Sequence, residues 1–426
     1  MNRTQNFKSD VLSTFGTQVL ILVLALATNI LIARLLGATN LGIFAFISLL
    51  GTVLVRFNTL GIEVSNVYYL GQQTYSREDI KSNTLLFWMG AAAAGIVVLF
   101  GLQSTNVIKR FSEIDPKWLK WTYPIFLFFL FEEFHLTYFL GQQKIKQYNF
   151  LRLIRPGLVL IFIGGMMIFR FNSLQDIFIA YTAGLALYNI ILFIWVKPVL
   201  HKPNFELMKA TFRYGLQAYM ANISSFLNYR LDMFLVIYFL TPADLGFYSV
   251  SVLIAEKLWY LASASSTVLF PRVASSVKRN GELTSKTCRI NLSVILVAAL
   301  FLGLSSHFLI RFFYTESFLP AADALIALLP GIVTYSIPKV LSAELSGRGK
   351  PHYAMISSLL TLLLNVVLNI ILIPRYGIVG AALASSLSYS AAAGLFLWFY
   401  KRETGISLKD VLFIKRSDFL TLRGLL

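Results

Sequence analysis

Charge is what this chain has little of. Only 13% of its 426 residues are Asp, Glu, Lys or Arg, where a soluble domain keeps roughly a quarter. A water-facing surface cannot be built from half that amount, so most of this surface must face lipid. Cysteine is nearly absent. Cys288 stands alone, which rules out an internal disulfide and says little about the redox compartment. Four scattered His and that one Cys give no metal-ligand spacing. Ser is common, but none has a recognisable base partner. Gly347-Arg348-Gly349-Lys350 resembles the end of a phosphate loop, yet a complete loop needs Gly five residues before the last Gly-Lys pair, where Glu344 stands. The segment reads as a turn between helices. No enzyme, no cofactor and no metal are expected.

What is abundant is apolar sequence: 57% of residues are hydrophobic and the mean hydropathy is +0.70. A spanning helix needs about 20 mostly apolar residues. Twelve stretches qualify: 11–34, 42–69, 85–104, 119–140, 151–169, 176–196, 212–239, 246–270, 290–310, 321–345, 353–373 and 377–400. The fold class is therefore all-α, a polytopic membrane protein. Arg3 and Lys8 precede an apolar run too long for a signal peptide and without a clear cleavage site, so the first span is expected to stay in the protein.

The net charge of +17 does not call for nucleic acid, because the basic residues follow alternate loops. With the N-terminus inside, 25 Lys and Arg fall on the cytoplasmic loops and tails and 7 on the outward loops. That bias places both termini in the cytoplasm. One outward loop, with Lys109, Arg110, Lys117 and Lys120, is discordant. The excess also attracts anionic lipid heads, so membrane lipids are expected partners.

A weak repeat recurs at 204–205 residues. Leu41-Gly42-Ile43-Phe44 matches Leu245-Gly246-Phe247-Tyr248, Tyr148 matches Tyr353, and Phe169-Arg170-Phe171 matches Pro374-Arg375-Tyr376. Six spans per half puts both halves in one orientation: a six-helix bundle over 1–200, a second over 201–400, and a cytoplasmic tail over 401–426. Parallel repeats of this kind hold substrate at their interface near mid-membrane. The tail reads either as a short amphipathic helix on the membrane or as a partly ordered segment.

Ionisable groups inside the spans are the informative ones, since each costs about 2.5–3.5 kcal/mol at mid-membrane. The second stretch carries Arg56 and Glu63, which on one continuous helix share a face about 10.5 Å apart along the axis. The seventh carries Arg230 and Asp232, with Asn222, Ser225, Tyr229 and Asp232 in a polar stripe. The eighth carries Glu256 and Lys257, with Trp259 and Tyr260 one turn on. Glu132, Glu133 and His135 lie in the fourth, Lys339 and Glu344 in the tenth, and Arg152 and Arg155 open the fifth. The plain alternative is that Arg230–Asp232 and Glu256–Lys257 are buried pairs that pin helices. Arg34, Arg152 and Arg155 read as snorkelling to head groups. Glu132 and Glu133 read either as a proton or cation site or as partners of Arg152 and Arg155. Arg56 is the leading functional candidate: it is mid-span, with no carboxylate one turn away on its own stretch.

Three motifs carry a resemblance. They are Asn29-Ile30-Leu31-Ile32-Ala33-Arg34-Leu35-Leu36-Gly37 followed by Leu41-Gly42, then Leu269-Phe270-Pro271-Arg272-Val273-Ala274, and Pro374-Arg375-Tyr376-Gly377-Ile378-Val379-Gly380-Ala381-Ala382. With twelve spans in two sixes, the chain resembles the polysaccharide transporter family of O-antigen and capsule repeat-unit flippases. The superfamily also holds multidrug antiporters and the lipid II flippase. The resemblance implies a V-shaped, cationic central cavity lined mainly by spans 1, 2, 7 and 8. Arg56, Arg230 and Lys257 would hold an undecaprenyl-diphosphate head group, with Asn222 and Tyr229 beside them. Glu63, Asp232 and Glu256 fall on the same spans, leaving room for ion coupling or charge-neutralised pairs. The implied activity is flipping a lipid-linked oligosaccharide across a bacterial inner membrane by alternating access, in O-antigen, lipopolysaccharide or capsule biosynthesis. The implied partners are that substrate and other polysaccharide-assembly membrane proteins. Two alternatives stand beside it. A cation-coupled multidrug antiporter would expel amphipathic cations through its acidic residues, and the three cations would repel such substrates. A membrane polysaccharide polymerase or glycosyltransferase would need more than the short outward loop near 104–118, whose only acids are Glu113 and Asp115.

Overall fold

The computed structural model describes residues 3–105, 113–169, 173–275, 281–350, 352–415 and 418, and side chains from 13 onward except 217, 218, 220–222, 267, 268, 270–272, 274 and 275. Among the described residues there is no strand. The helices are α1 (Arg3–Thr59), α2 (Ile62–Gln72), α3 (Arg77–Ser104), α4 (Thr122–Gly141), α5 (Ile145–Ile168), α6 (Leu174–Val196) and α7 (Phe205–Phe239). They continue as α8 (Pro242–Ala255), α9 (Trp259–Ser275), α10 (Glu282–Phe313), α11 (Pro320–Gly347), α12 (His352–Thr404) and α13 (Leu408–Leu412).

Nine helical segments among the described residues are long and apolar enough to cross a membrane. Two of these, α1 and α12, are broken at Gly37 (φ 71°) and Gly377 (φ 58°), so each carries two of the expected spans. A positive φ is available to glycine without the Cβ clash that other residues meet. The remaining stretch, 212–239, lies in α7. The chain is a polytopic all-α membrane protein.

The outer faces agree with a lipid solvent. On α10, Val297, Leu300, Phe301, Leu304 and Phe308 repeat at helical spacing and are all exposed, Leu304 by 91%. Such a stripe in water would be an aggregation surface; in lipid it is the ordinary exterior. Helix starts at the membrane edge use side-chain caps. Ser76 accepts from the Asp79 amide (2.9 Å), and Ser173 and Asp176 form a reciprocal capping box (3.2 and 3.1 Å).

Two stretches are not the single helices expected. The second is interrupted at Leu60 (φ 48°) and Gly61 (φ 75°) between α1 and α2. A Cβ on Gly61 would lie 2.1 Å from the Gly215 carbonyl oxygen, so this glycine also permits a backbone-to-backbone approach. Arg56 and Glu63 therefore do not share a face of one continuous helix. The eighth stretch is interrupted by a 3₁₀ turn at Glu256–Leu258 between α8 and α9.

The chain divides into two compact units. One comprises Met1–Ile223 with Thr241–Gly246, the other Ser224–Leu240 with Phe247–Leu426. In the first, Phe131, Phe139, Leu151, Tyr188 and Leu192 form an apolar core where α4, α5 and α6 meet. The repeated glycines Gly42 and Gly246 also meet in this unit: a Cβ on Gly42 would stand 1.7 Å from the Pro242 carbonyl oxygen and 2.9 Å from the Gly246 nitrogen. In the second, α11 packs on α12 through small residues. Pro330 interrupts the α11 hydrogen-bond ladder, and Ser386 repairs it by accepting from the Gly331 amide (3.1 Å) and donating to the Ala327 carbonyl (2.6 Å).

Among the described residues of the tail, the short helix packs back on the protein and not out along a membrane surface. α13 turns back, and Val411 is buried with Cys288, Leu341 and Tyr400. Arg289 holds both oxygens of Asp418 (2.9 and 3.0 Å) and donates to the Asp410 carbonyl.

Candidate functional site

In the first unit the in-span charges form two pairs. Arg56, near the end of α1, donates to Glu133 of α4 at 2.7 Å. The carboxylate missing from its own stretch is thus supplied from 77 residues away. Arg155 donates to the adjacent Glu132 at 2.6 Å, and Tyr188 adds a bond of 3.3 Å to the same carboxylate. Arg155 is therefore a helix-pinning residue and does not snorkel. Arg152 donates to Gln18 (2.8 Å) and lies over the Tyr148 ring. Consecutive acids point about 100° apart around a helix, which is why Glu132 and Glu133 serve different arginines. Glu63 sits in the first turn of α2, where a carboxylate suits the positive helix end. Its Oε2 is buried with no hydrogen-bond partner among the described residues.

In the second unit the expected pairs are both corrected. Arg230 donates to both oxygens of Glu256 (2.7 and 3.1 Å), not to Asp232, and its Nη1 also meets the Tyr229 carbonyl (3.0 Å). Residues two apart on a helix point to nearly opposite sides, so Arg230 and Asp232 could not pair. Lys257 does not pair with Glu256 either; its Nζ lies 3.4 Å from the Tyr260 hydroxyl and 5.3 Å over that ring. Asp232 is buried and accepts from Tyr248 (2.6 Å) and Ser385 (3.2 Å). A chain of amides leads to it: Asn369 donates to Asn365 (3.0 Å), and Asn365 to Ser385 (3.4 Å). The side chain of Asn222 lies outside the described residues.

Tyr229 belongs to an aromatic cluster that the sequence alone does not reveal. Its hydroxyl donates to that of Tyr335 (3.1 Å), and its ring meets Trp259 (5.4 Å), Tyr335 (5.8 Å) and Tyr389 (6.3 Å). The Trp259 indole donates to the Ile332 carbonyl (2.9 Å), which fixes it at the 3₁₀ break. Above these rings stands Lys339, 4.7 Å from the Trp259 centroid, 5.5 Å from Tyr229 and 5.7 Å from Tyr335. A water-sized void beside the cluster is lined by Tyr229, Asp232, Glu256, Trp259 and Tyr389. The available signals were Trp259 one turn beyond Glu256 and a lysine mid-stretch at 339; neither names its partners. The other lysine-bearing feature, Gly347 to Lys350, is the turn between α11 and α12, with Gly349 at φ 78°.

The arrangement supplies arginines held against glutamates, a lysine over rings, and a buried carboxylate held by two hydroxyls and a backbone amide. Among the described residues no group of three or more His, Cys, Asp and Glu is placed to hold a metal ion. These are means of binding an anion and a small cation inside a membrane.

Comparison with known proteins gives the following. The family model described as "Lipid II flippase MurJ" matches residues 149–422, and that described as "Polysaccharide biosynthesis protein" matches residues 7–277. Among curated proteins the chain is similar to the probable low-salt glycan biosynthesis flippase Agl15 of Haloferax volcanii, 26% identical over 196 residues, covering 45% of this chain and 42% of that protein. The chain spans between 30% and 42% of the length of the curated relatives it matches. Among solved structures it is similar to lipid II flippase MurJ in an inward closed conformation, with a TM-score of 0.74 and 18% identity over 98% of this chain and 92% of that one. It is also similar to an inward-facing multidrug resistance MATE family transporter of the MOP superfamily, with a TM-score of 0.70 and 14% identity over 93% of this chain and 98% of that one. At these identities the structural likenesses establish the fold alone.

Proposed function

The chain belongs to the family of polysaccharide biosynthesis proteins and lipid II flippases, and from that premise we propose that it flips a lipid-linked glycan across a membrane. The substrate in this reading is an oligosaccharide repeat unit on undecaprenyl diphosphate. It moves outward across a bacterial inner membrane for O-antigen, capsule or exopolysaccharide assembly, by alternating exposure of its site to the two sides.

The observation that carries the reading is the state of two arginines. Arg56 and Arg230 lie inside spans, Arg56 against Glu133 and Arg230 against Glu256 and the Tyr229 carbonyl, and yet are 40% and 29% exposed. A guanidinium carries its five N–H donors in a planar fork. That fork suits phosphate oxygens, which must shed water to enter the membrane. Lys257 adds a further cation in this scheme, and Asn222 and Tyr229 polar contacts. Asp232, Glu63 and Glu256 are the coupling candidates. Asp232 suits that role because its partners are two hydroxyls and the Met233 amide, so a proton or monovalent cation can join it without displacing an arginine.

The test is export in a strain that depends on the protein. Arg56→Ala and Arg230→Ala, at equal protein level, are each expected to lower surface polysaccharide about tenfold or more, the scale of a lost charge-assisted hydrogen bond. Lipid-linked precursor should accumulate in parallel. Normal export in both variants would overturn the assignment.

A multidrug antiporter is the second reading. It is favoured by the rings of Tyr229, Trp259 and Tyr389 beside Asp232 and Glu256, a setting that attracts organic cations. In that case deletion raises drug sensitivity and leaves polysaccharide intact.

A further inference from the structure

Lys339 is the in-span cation with the least conventional partners. Its backbone is fixed: the carbonyl accepts from Ser266 at 2.6 Å, and Pro338 precedes it in α11. Its side chain is half-buried over three rings from α7, α9 and α11. Among the described residues no carboxylate lies within 4.0 Å of its Nζ and that ammonium donates no hydrogen bond; the carboxylate whose charge acts on it, Glu256, is engaged by Arg230. Arg56, Arg155, Arg230 and Arg289 each have a carboxylate. The faces of aromatic rings attract one side of an ammonium by about 0.5–2 kcal/mol. They leave its three N–H donors unused, in a place where a charge costs about 2.5–3.5 kcal/mol. Lys339 stands eight residues from the end of α11 at Gly347, about 12 Å along the axis. The charge bias assigns that end to the cytoplasmic side, from which a lipid-linked glycan is loaded.

We propose that Lys339, held over Tyr229, Trp259 and Tyr335, binds an anionic oxygen group of the transported molecule: a phosphate of its lipid linker or a carboxylate of its sugar. The rings orient the ammonium. The proposal rests on the reading of the chain as a lipid-linked glycan flippase. It adds a binding group on α11, outside the three spans in which the other candidate residues lie.

Purified protein in detergent is titrated with undecaprenyl diphosphate, with octyl glucuronide, and with undecaprenol as the neutral control. Wild type is expected to prefer one anionic probe over the neutral one, and which probe is preferred identifies the source of the anion. Lys339→Gln is expected to weaken that probe about tenfold, while Lys339→Arg stays within about threefold, because the charge and donors are kept. A second measurement needs no variant: the bound anion should slow acetylation of Lys339 in wild type, read by mass spectrometry. Equal binding by wild type and Lys339→Gln, or unprotected Lys339 in the presence of a bound probe, would overturn the assignment and leave the flippase reading standing. Failure of wild type to distinguish either anion from undecaprenol would overturn both.

Discussion

Arg230 is pinned by a glutamate 26 residues away, not by the aspartate two residues on. Truncating one partner of such a half-buried pair leaves the other uncompensated, which costs more than removing both. Glu256→Gln alone should therefore destabilise the protein more than Arg230→Gln with Glu256→Gln. The coupling should be about 0.5–3 kcal/mol in a double-mutant cycle of thermal stability. Additive single and double variants would show that the pair does not bear on stability. The presence of charges on these spans was legible in the sequence, because a run of apolar residues makes each charge conspicuous. Their partners were not. Helix periodicity excludes Arg230–Asp232 and Glu256–Lys257 as pairs, but it cannot say that Glu133 serves Arg56, since that depends on how α4 lies against α1.

Among the helices, small residues mark where backbones touch. A side chain at Gly42 meets the Pro242 carbonyl, which has no rotamer by which to withdraw. Overpacking costs roughly 1–3 kcal/mol in compliant sites, so Gly42→Leu should fall at the upper end and lower the melting temperature clearly. Gly90, within α3, has nothing within 4 Å of its would-be Cβ. Gly90→Ala is expected to stabilise by about 0.4–1 kcal/mol through the unfolded chain. A thermal scan of both variants in one detergent checks the opposite signs. The twelve spans were legible because lipid demands length and apolarity from each one separately. The breaks at Leu60–Gly61 and Glu256–Leu258 were not, because both fall inside apolar runs and a backbone angle leaves no trace in hydropathy.

For the molecule as a whole, the Lys and Arg bias predicts its orientation. A reporter joined after residue 404 should be active only in its cytoplasmic form, and activity of an exported phosphatase there would reverse the topology. The tail adds a pH dependence. Arg289 holds the Asp418 carboxyl below its ordinary value. The contribution of this contact is complete above about pH 4, the ordinary Asp range, and is lost as pH falls through the lowered value. Asp418→Asn should release 408–415 at neutral pH, seen as faster protease cleavage there than in wild type; equal cleavage would show that the contact does not hold the tail. The docking was hidden from the sequence because Arg289 reads as one more basic residue of a cytoplasmic loop.

That contact also sets an order of events at the ribosome. Asp418 is made 129 residues after Arg289, which at about 5–20 residues per second is a delay of roughly 6–26 s. Throughout that interval the Arg289 guanidinium is without the Asp418 carboxylate that receives it. The second unit can therefore close around Arg289 only once residue 418 has been made, so a ribosome that stalls before it leaves a chain with that one charge unmatched.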